Sequence, residues 1–287
     1  MKIIYTLVLG AALFIQLNAH AQTDTTKISD TEDITPPDSS KHTLTASDTL
    51  IRYRMNSVFL LSTWRDLKFI VSRPAHWQGR DFKRLGLVLG GAGALMTVDY
   101  SIKQVMMHNQ QNFWTSVTNQ IEPFGNAYSP YLVGAMYVTG VIAKDRKLEH
   151  ASVMTAKSLV ISTLIYVTAK SIIRRGRPSY YDTPFSYDPP FTTFKQRTSF
   201  PSGHMLTVTS VATSLAEIYG KEHPWVPWVT YGIAGLTGIT RLYQNRHWSS
   251  DVWVGASLGY FVTSSIFRRH RALEHKKALA ALATARP

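Results

Sequence analysis

The chain has 287 residues, 45% of them hydrophobic, no cysteine, and a formal net charge of +13. That length supports one large domain or two small ones with a sizeable core. The lack of cysteine excludes disulfides, thiolate metal sites and a cysteine nucleophile, and the basic balance points to anionic partners.

At the N-terminus, Met1-Lys2 precedes an apolar run from Ile3 to Ile15, and Ala19-x-Ala21 follows as a small-residue cleavage site. Residues 1–21 are expected to form a secretory signal peptide, because the run is short for a membrane anchor. Residues 22–50 are rich in Thr, Ser and Asp and nearly free of aliphatics, so a disordered leader is expected. That stretch carries six acids and two lysines, a net −4; with Lys2 also set aside, residues 51–287 hold +16. For an exported chain the matching counter-charges are anionic lipid headgroups or phosphorylated substrates. Nucleic acid is not an expected partner, since no binding motif for it occurs and export argues against it.

Residues 51–84 mix Phe59, Trp64, Phe69 and Trp77 with many basic side chains. An interfacial or surface-packed helix suits them better than a span, because Arg65, Asp66 and Lys68 interrupt the apolar character. Six apolar segments follow, at 85–102, 126–143, 152–173, 204–219, 227–240 and 252–267. Their lengths predict helices rather than strands, with polar Pro/Gly-containing loops between them, and so one all-α domain at 85–271 followed by a tail at 272–287. Asp99, Lys157 and Glu217 inside the segments weigh against all six crossing a bilayer, as does a mean hydropathy near zero. The basic cluster Arg268–Arg271 suggests a cytoplasmic C-terminus, and six spans counted backwards put residues 80–84 in the cytoplasm too. A cleaved signal peptide would leave that region outside, so the two readings conflict. Oligomeric state is not legible.

Three stretches carry chemistry. In "KSIIRRGRP", Lys170 and Arg177 are two helical turns apart and share a face if the helix persists, although Gly176 and Pro178 indicate its end. Alone, this equally describes a cationic flank beside an apolar segment. The Arg73-Pro74 pair lacks the lysine spacing, since Asp66 stands there. In "SFPSGHM", Ser202 and the following amides sit where a helix offers unpaired N–H donors. Gly203 would let a ligand approach the backbone, and His204 would stand beside a bound anion able to exchange a proton. An ordinary Pro-Ser helix start with a packed histidine is the plain alternative. In "TRLYQNRHWSSD", Arg241 can pair bidentately with phosphate oxygens. His247 and Asp251, four apart on a helix, follow the logic of a histidine nucleophile oriented by an acid, or form a surface pair. Arg246 is expected to face elsewhere. Together these residues are the parts that hydrolysis of a phosphate monoester or diphosphate requires. No metal-binding carboxylate cluster is visible, so the cations would stand in for a metal and no cofactor is expected.

These residues resemble the signature of the type 2 phosphatidic acid phosphatase superfamily, which also includes bacterial acid phosphatases and vanadium haloperoxidases. The signature K-x6-R-P, P-S-G-H, S-R-x5-H-x3-D is matched at Lys170 to Pro178, Pro201 to His204, and Thr240 to Asp251, with Thr240 in place of the usual serine. The resemblance implies a six-helix core bundle associated with a membrane. It also implies roles: His247 attacks phosphorus, Asp251 orients it, and His204 protonates the leaving alcohol and then activates water. Lys170, Arg177, Arg241, Ser202 and Gly203 hold the phosphoryl oxygens.

The expected function is that of an envelope phosphatase acting outside the cytoplasm on a lipid phosphate or lipid diphosphate. Phosphatidic acid, undecaprenyl diphosphate, phosphatidylglycerol phosphate and lipid A are the candidate substrates. A soluble periplasmic acid phosphatase is the nearest alternative. A vanadate-dependent haloperoxidase and a non-catalytic anion-binding membrane protein stand further off. The aromatic loop 179–198 either frames the entrance or covers the site.

Overall fold

Apolar runs bounded by Pro, Gly and capping residues become helices along the chain. The structure, a computed structural model, describes residues 57–192 and 197–284; the expected signal peptide and leader lie outside the described residues. Among the described residues there are eight α-helices and no extended strand: α1 Ser57–Ser72, α2 Gly79–His108, α3 Asn112–Ile121, α4 Tyr128–Ile142, α5 Arg146–Ile173, α6 Gly203–Tyr219, α7 Trp225–Tyr243 and α8 Ser249–Thr284. The class is all-α; five of the six expected segments fall within one helix each, and the sixth, 126–143, overruns α4 by two residues at its start and one at its end. Helix α3 was not expected. Helix α2 runs across residues 84 and 85 without a break, and α8 continues through the stretch read as a tail.

Local chemistry sets the helix ends. Asp145 caps α5 by accepting from the Lys147 and Leu148 amides, at 2.9 and 3.0 Å. Gln78 and Asp81 form a capping box at the start of α2. Helix α5 stops at Ile173 because Arg174 turns left-handed, with φ 46°. The chain beyond folds back on itself, pairing Arg175 with Tyr187 and Gly176 with Thr198 as isolated bridges.

Helix α6 is central and packs on α8, α7 and α5, while α4 pairs with α5 and α2 lies along α8. Glycine permits the closest of these approaches: a Cβ on Gly255 would come 2.4 Å from the Ser202 carbonyl oxygen. Met154, Ile161, Val262, Ile266 and Phe267 form an apolar cluster between α5 and α8. Much of the remaining interior is hydroxylic, including Ser158, Ser162, Thr209, Ser210, Thr213 and Thr237, all buried. Large apolar side chains instead face outward, among them Leu60, Leu87, Tyr131, Ile142, Val167 and Trp228.

Helix α1 shows the same inversion, burying Ser62, Thr63 and Asp66 while exposing Leu60, Leu61, Trp64 and Val71. Asp99, Lys157 and Glu217, the charges noted inside the apolar segments, each find a partner, as does Asp66. Asp66 meets Lys157 at 3.2 Å and His270 at 2.9 Å, Asp99 meets Arg175 at 2.8 Å, and Glu217 meets Arg271 at 2.6 Å. Two helices, α2 and α5, are long and apolar enough to cross a membrane.

Candidate active site

The site lies at the end of the bundle where α5 and α7 finish and α6 and α8 begin. That arrangement gathers two helix N-termini beside basic residues carried at two helix ends. A cavity of about 590 Å³ opens there, and Lys170, Arg177, Gly203, His204, Arg241 and His247 line it. Six of the eight residues singled out in the sequence therefore share one cavity wall. Ser202 and Asp251 lie just behind it, fully buried.

Lys170 sits on the last turn of α5 with its ammonium 5.1 Å from the centre of the Tyr166 ring. The helix ends at Ile173 and does not persist to Arg177, so the condition for a shared helical face is not met. The folded-back loop, rather than helical register, aims Arg177 at the same cavity, with its Nε donating to the Thr198 carbonyl at 2.9 Å. Ser202 is the residue before α6, and its hydroxyl makes no capping bond. That Oγ and the Arg241 Nε are buried without a hydrogen-bond partner. Leaving such groups unpaired costs about 1–3 kcal/mol each, so they mark a place built to meet another polar group. Gly203 lines the cavity, and the Tyr166 ring also accounts for its identity: a Cβ would come 2.9 Å from Tyr166 Cζ.

His247 and Asp251 are not on one helix as expected. His247 precedes α8 and Asp251 is in its first turn. Asp251 Oδ2 accepts from the Trp248 amide at 2.9 Å and lies 4.0 Å from His247 Nδ1, an ion-pair distance rather than a hydrogen bond. Asp251 Oδ1 takes Arg175 Nη1 at 2.7 Å, and Arg175 also reaches Asp99 of α2 at 2.8 Å. Asp99 in turn accepts from the hydroxyls of Ser249 and Ser250. Trp248, wholly buried, donates to the Gly176 carbonyl at 2.8 Å and pins the His247 segment to the loop after α5.

Burial pushes the His247 pKa well below its ordinary value, and the charges of Lys170, Arg177, His204 and Arg241 add to the effect. The imidazole is therefore neutral, the form a nucleophile needs. Burial pushes Asp251 up to about 6, against the opposing charge of Arg175 and the Trp248 amide.

Several lining residues escaped the sequence reading. Arg246, expected to face elsewhere, is exposed at the cavity wall, because the chain leaves helical geometry after Tyr243. Thr240, which stands where the signature has serine, donates its hydroxyl to the Thr237 carbonyl at 2.7 Å and is not a lining residue. Glu122 follows α3 in a 3-10 turn, where its Oε1 bonds His204 Nε2 and lies 3.3 Å from Arg241 Nη1. Gln110, Thr115 and Asn119 of the unexpected α3 region, with Gln244, add a neutral polar side. A signal existed for Asp99, since a carboxylate inside an apolar segment is a pointer to a paired or functional role. For Glu122 there was none. Among the described residues no group of three or more His, Cys, Asp or Glu side chains is arranged to hold a metal ion.

Residues 151–274 match the model of the PAP2 superfamily, a span that contains all three motifs. Lipid A 1-phosphatase of Porphyromonas gingivalis is 40% identical over 77 residues, which make up 24% of this chain and 17% of that protein. In fold, the chain is similar to the transmembrane PAP2-type phosphatidylglycerolphosphate phosphatase of Bacillus subtilis. The likeness has 21% identity and a TM-score of 0.51, and covers 68% of this chain and 96% of the Bacillus protein. LpxE of Aquifex aeolicus aligns at 18% identity and a TM-score of 0.45, over 58% of this chain and 93% of that one.

Proposed function

We propose that the protein is a phosphatase that hydrolyses a lipid phosphate or lipid diphosphate through a phosphohistidine intermediate. The observation that carries this reading is the convergence of Lys170, Arg177, Arg241, His204 and His247 on one cavity at the N-terminus of α6. The three cations, the Gly203 amide and the free Ser202 hydroxyl bind the phosphoryl oxygens, and their charge grows in value as negative charge develops. With Nδ1 turned towards Asp251, His247 attacks through Nε2. The N–P bond forms as the P–O bond to the leaving group breaks, and His204 delivers a proton to that oxygen. Water, deprotonated by His204, then attacks phosphorus and releases inorganic phosphate and neutral His247.

The outward apolar side chains, the hydroxylic interior and two helices of membrane-crossing length support work at a lipid surface. Lipid A, named for the Porphyromonas relative, and phosphatidylglycerol phosphate, named for the Bacillus one, are the first substrates to try. An active site facing outside the cytoplasm accords with the signal peptide expected at residues 1–21. The test is phosphate release by the full chain across lipid phosphates, lipid diphosphates and soluble esters. Release from none of them rejects the reading, and release from soluble esters alone favours a broad-specificity acid phosphatase.

A further inference from the structure

Among the residues lining the cavity there is one carboxylate, Glu122, set amid Lys170, Arg177, Arg241 and Arg246. It belongs to the 3-10 turn Glu122–Gly125 between α3 and α4. This turn grips His204 at two points. The Glu122 carboxylate accepts from the ring Nε2, and Gly125 packs against His204 Cβ and Cδ2, where a Cβ would come 2.7 Å from His204 Cβ. The buried Ser129 of α4 donates its hydroxyl to the Phe124 carbonyl and so holds the turn in place.

We propose that Glu122 is a positioning residue for His204, fixing the ring and helping it hold the proton that it hands to the leaving oxygen. The proposal rests on the reading of His204 as the leaving-group acid. With one ring nitrogen tied to Glu122, the other carries the proton exchanged with substrate. The need for such a partner follows from the groups around the ring. Arg241 of α7 and Arg177 of the loop after α5 act on the ring as cations, and Lys170 of α5 and Arg246 beside His247 line the same cavity. Burial and the Arg241 charge push His204 below its ordinary pKa, while the hydrogen bond and charge of Glu122 oppose them. A histidine facing only those cations would lose its proton at a lower pH and fail as an acid.

The experiment compares Glu122→Gln with the unaltered chain on two esters, reading kcat/KM across pH so that hydrolysis of the phosphoenzyme does not enter. p-Nitrophenyl phosphate expels a phenolate that needs no proton, whereas short-chain phosphatidic acid expels an alkoxide that does. Glu122→Gln is expected to lower kcat/KM on phosphatidic acid by about 10- to 100-fold and on the nitrophenyl ester by less than about threefold. Its alkaline limb is expected about 1 pH unit lower. Gly125→Ala pushes the turn away from His204 without touching the carboxylate and is expected to give the same pattern, which keeps the test open if one variant does not fold. Equal losses on both esters with an unmoved alkaline limb overturn the role of Glu122 and leave the phosphatase reading standing. No hydrolysis of either ester by the unaltered chain overturns that reading, and this proposal with it.

Discussion

Arg175 holds Asp251 more closely than His247 does. Its Nη1 lies 2.7 Å from Asp251 Oδ1, while His247 Nδ1 stands 4.0 Å from the other oxygen. Arg175 is bound in turn to Asp99, so α2 braces the acid behind the nucleophile through one guanidinium. If the Asp251 charge steadies the imidazolium that forms on His247, activity rises with pH as Asp251 ionises near 6. Removing Arg175 takes away the charge that opposes burial. Arg175→Ala is therefore expected to move the acid limb of the kcat/KM profile to higher pH; an unmoved limb would show that Asp251 is not the group titrating.

The same shift bears on stability. The folded pKa of Asp251 lies above its ordinary 3.8, so the folded chain holds that proton more tightly than the unfolded one. This group's stabilising contribution is present below about pH 4 and is lost as pH rises through about 6. Asp251→Asn is expected to flatten that part of the stability-versus-pH curve, measured by thermal unfolding.

His247→Ala is expected to abolish phosphate release while leaving the helical circular dichroism unchanged. The side chain lines the cavity, and no other histidine besides His204 does so. Trapping the phosphoenzyme with labelled substrate is the direct check, and label retained in His247→Ala contradicts the assignment.

Arg241→Lys keeps a charge but loses the planar fork that meets two phosphoryl oxygens. A loss of about 10²- to 10³-fold in kcat/KM is expected, the scale of removing one donor to a developing anion. Inhibition by vanadate, a phosphate mimic, should weaken in parallel. Thr240→Val, by contrast, is expected to cost little activity, because the Thr240 hydroxyl is spent on its own helix.

Asp66 is the buried anion that joins α1 to Lys157 of α5 and His270 of α8. Asp66→Ala leaves Lys157 without its carboxylate partner and is expected to destabilise the fold by about 3–5 kcal/mol. Loss of thermal stability with the residual activity still showing wild-type substrate preference would place this cluster in the scaffold rather than the chemistry.

The sequence by itself determined the all-α class, the location of six helices and the identities of Lys170, Arg177, Ser202, Gly203, His204, Arg241, His247 and Asp251 as a set. Apolar periodicity, capping residues and motif spacing are local patterns, and a helix or a helix end is a local structure. Only the tertiary structure decided who faces whom. Asp251 meets Arg175 across 76 positions and His204 meets Glu122 across 82, distances over which no periodicity carries information. Arg246 reached the cavity against expectation because its direction depends on where α7 stops. The low mean hydropathy, which weighs against all six segments crossing a bilayer, goes with an interior rich in serine and threonine while many apolar side chains face outward. Composition counts residues without direction, and direction is set by packing.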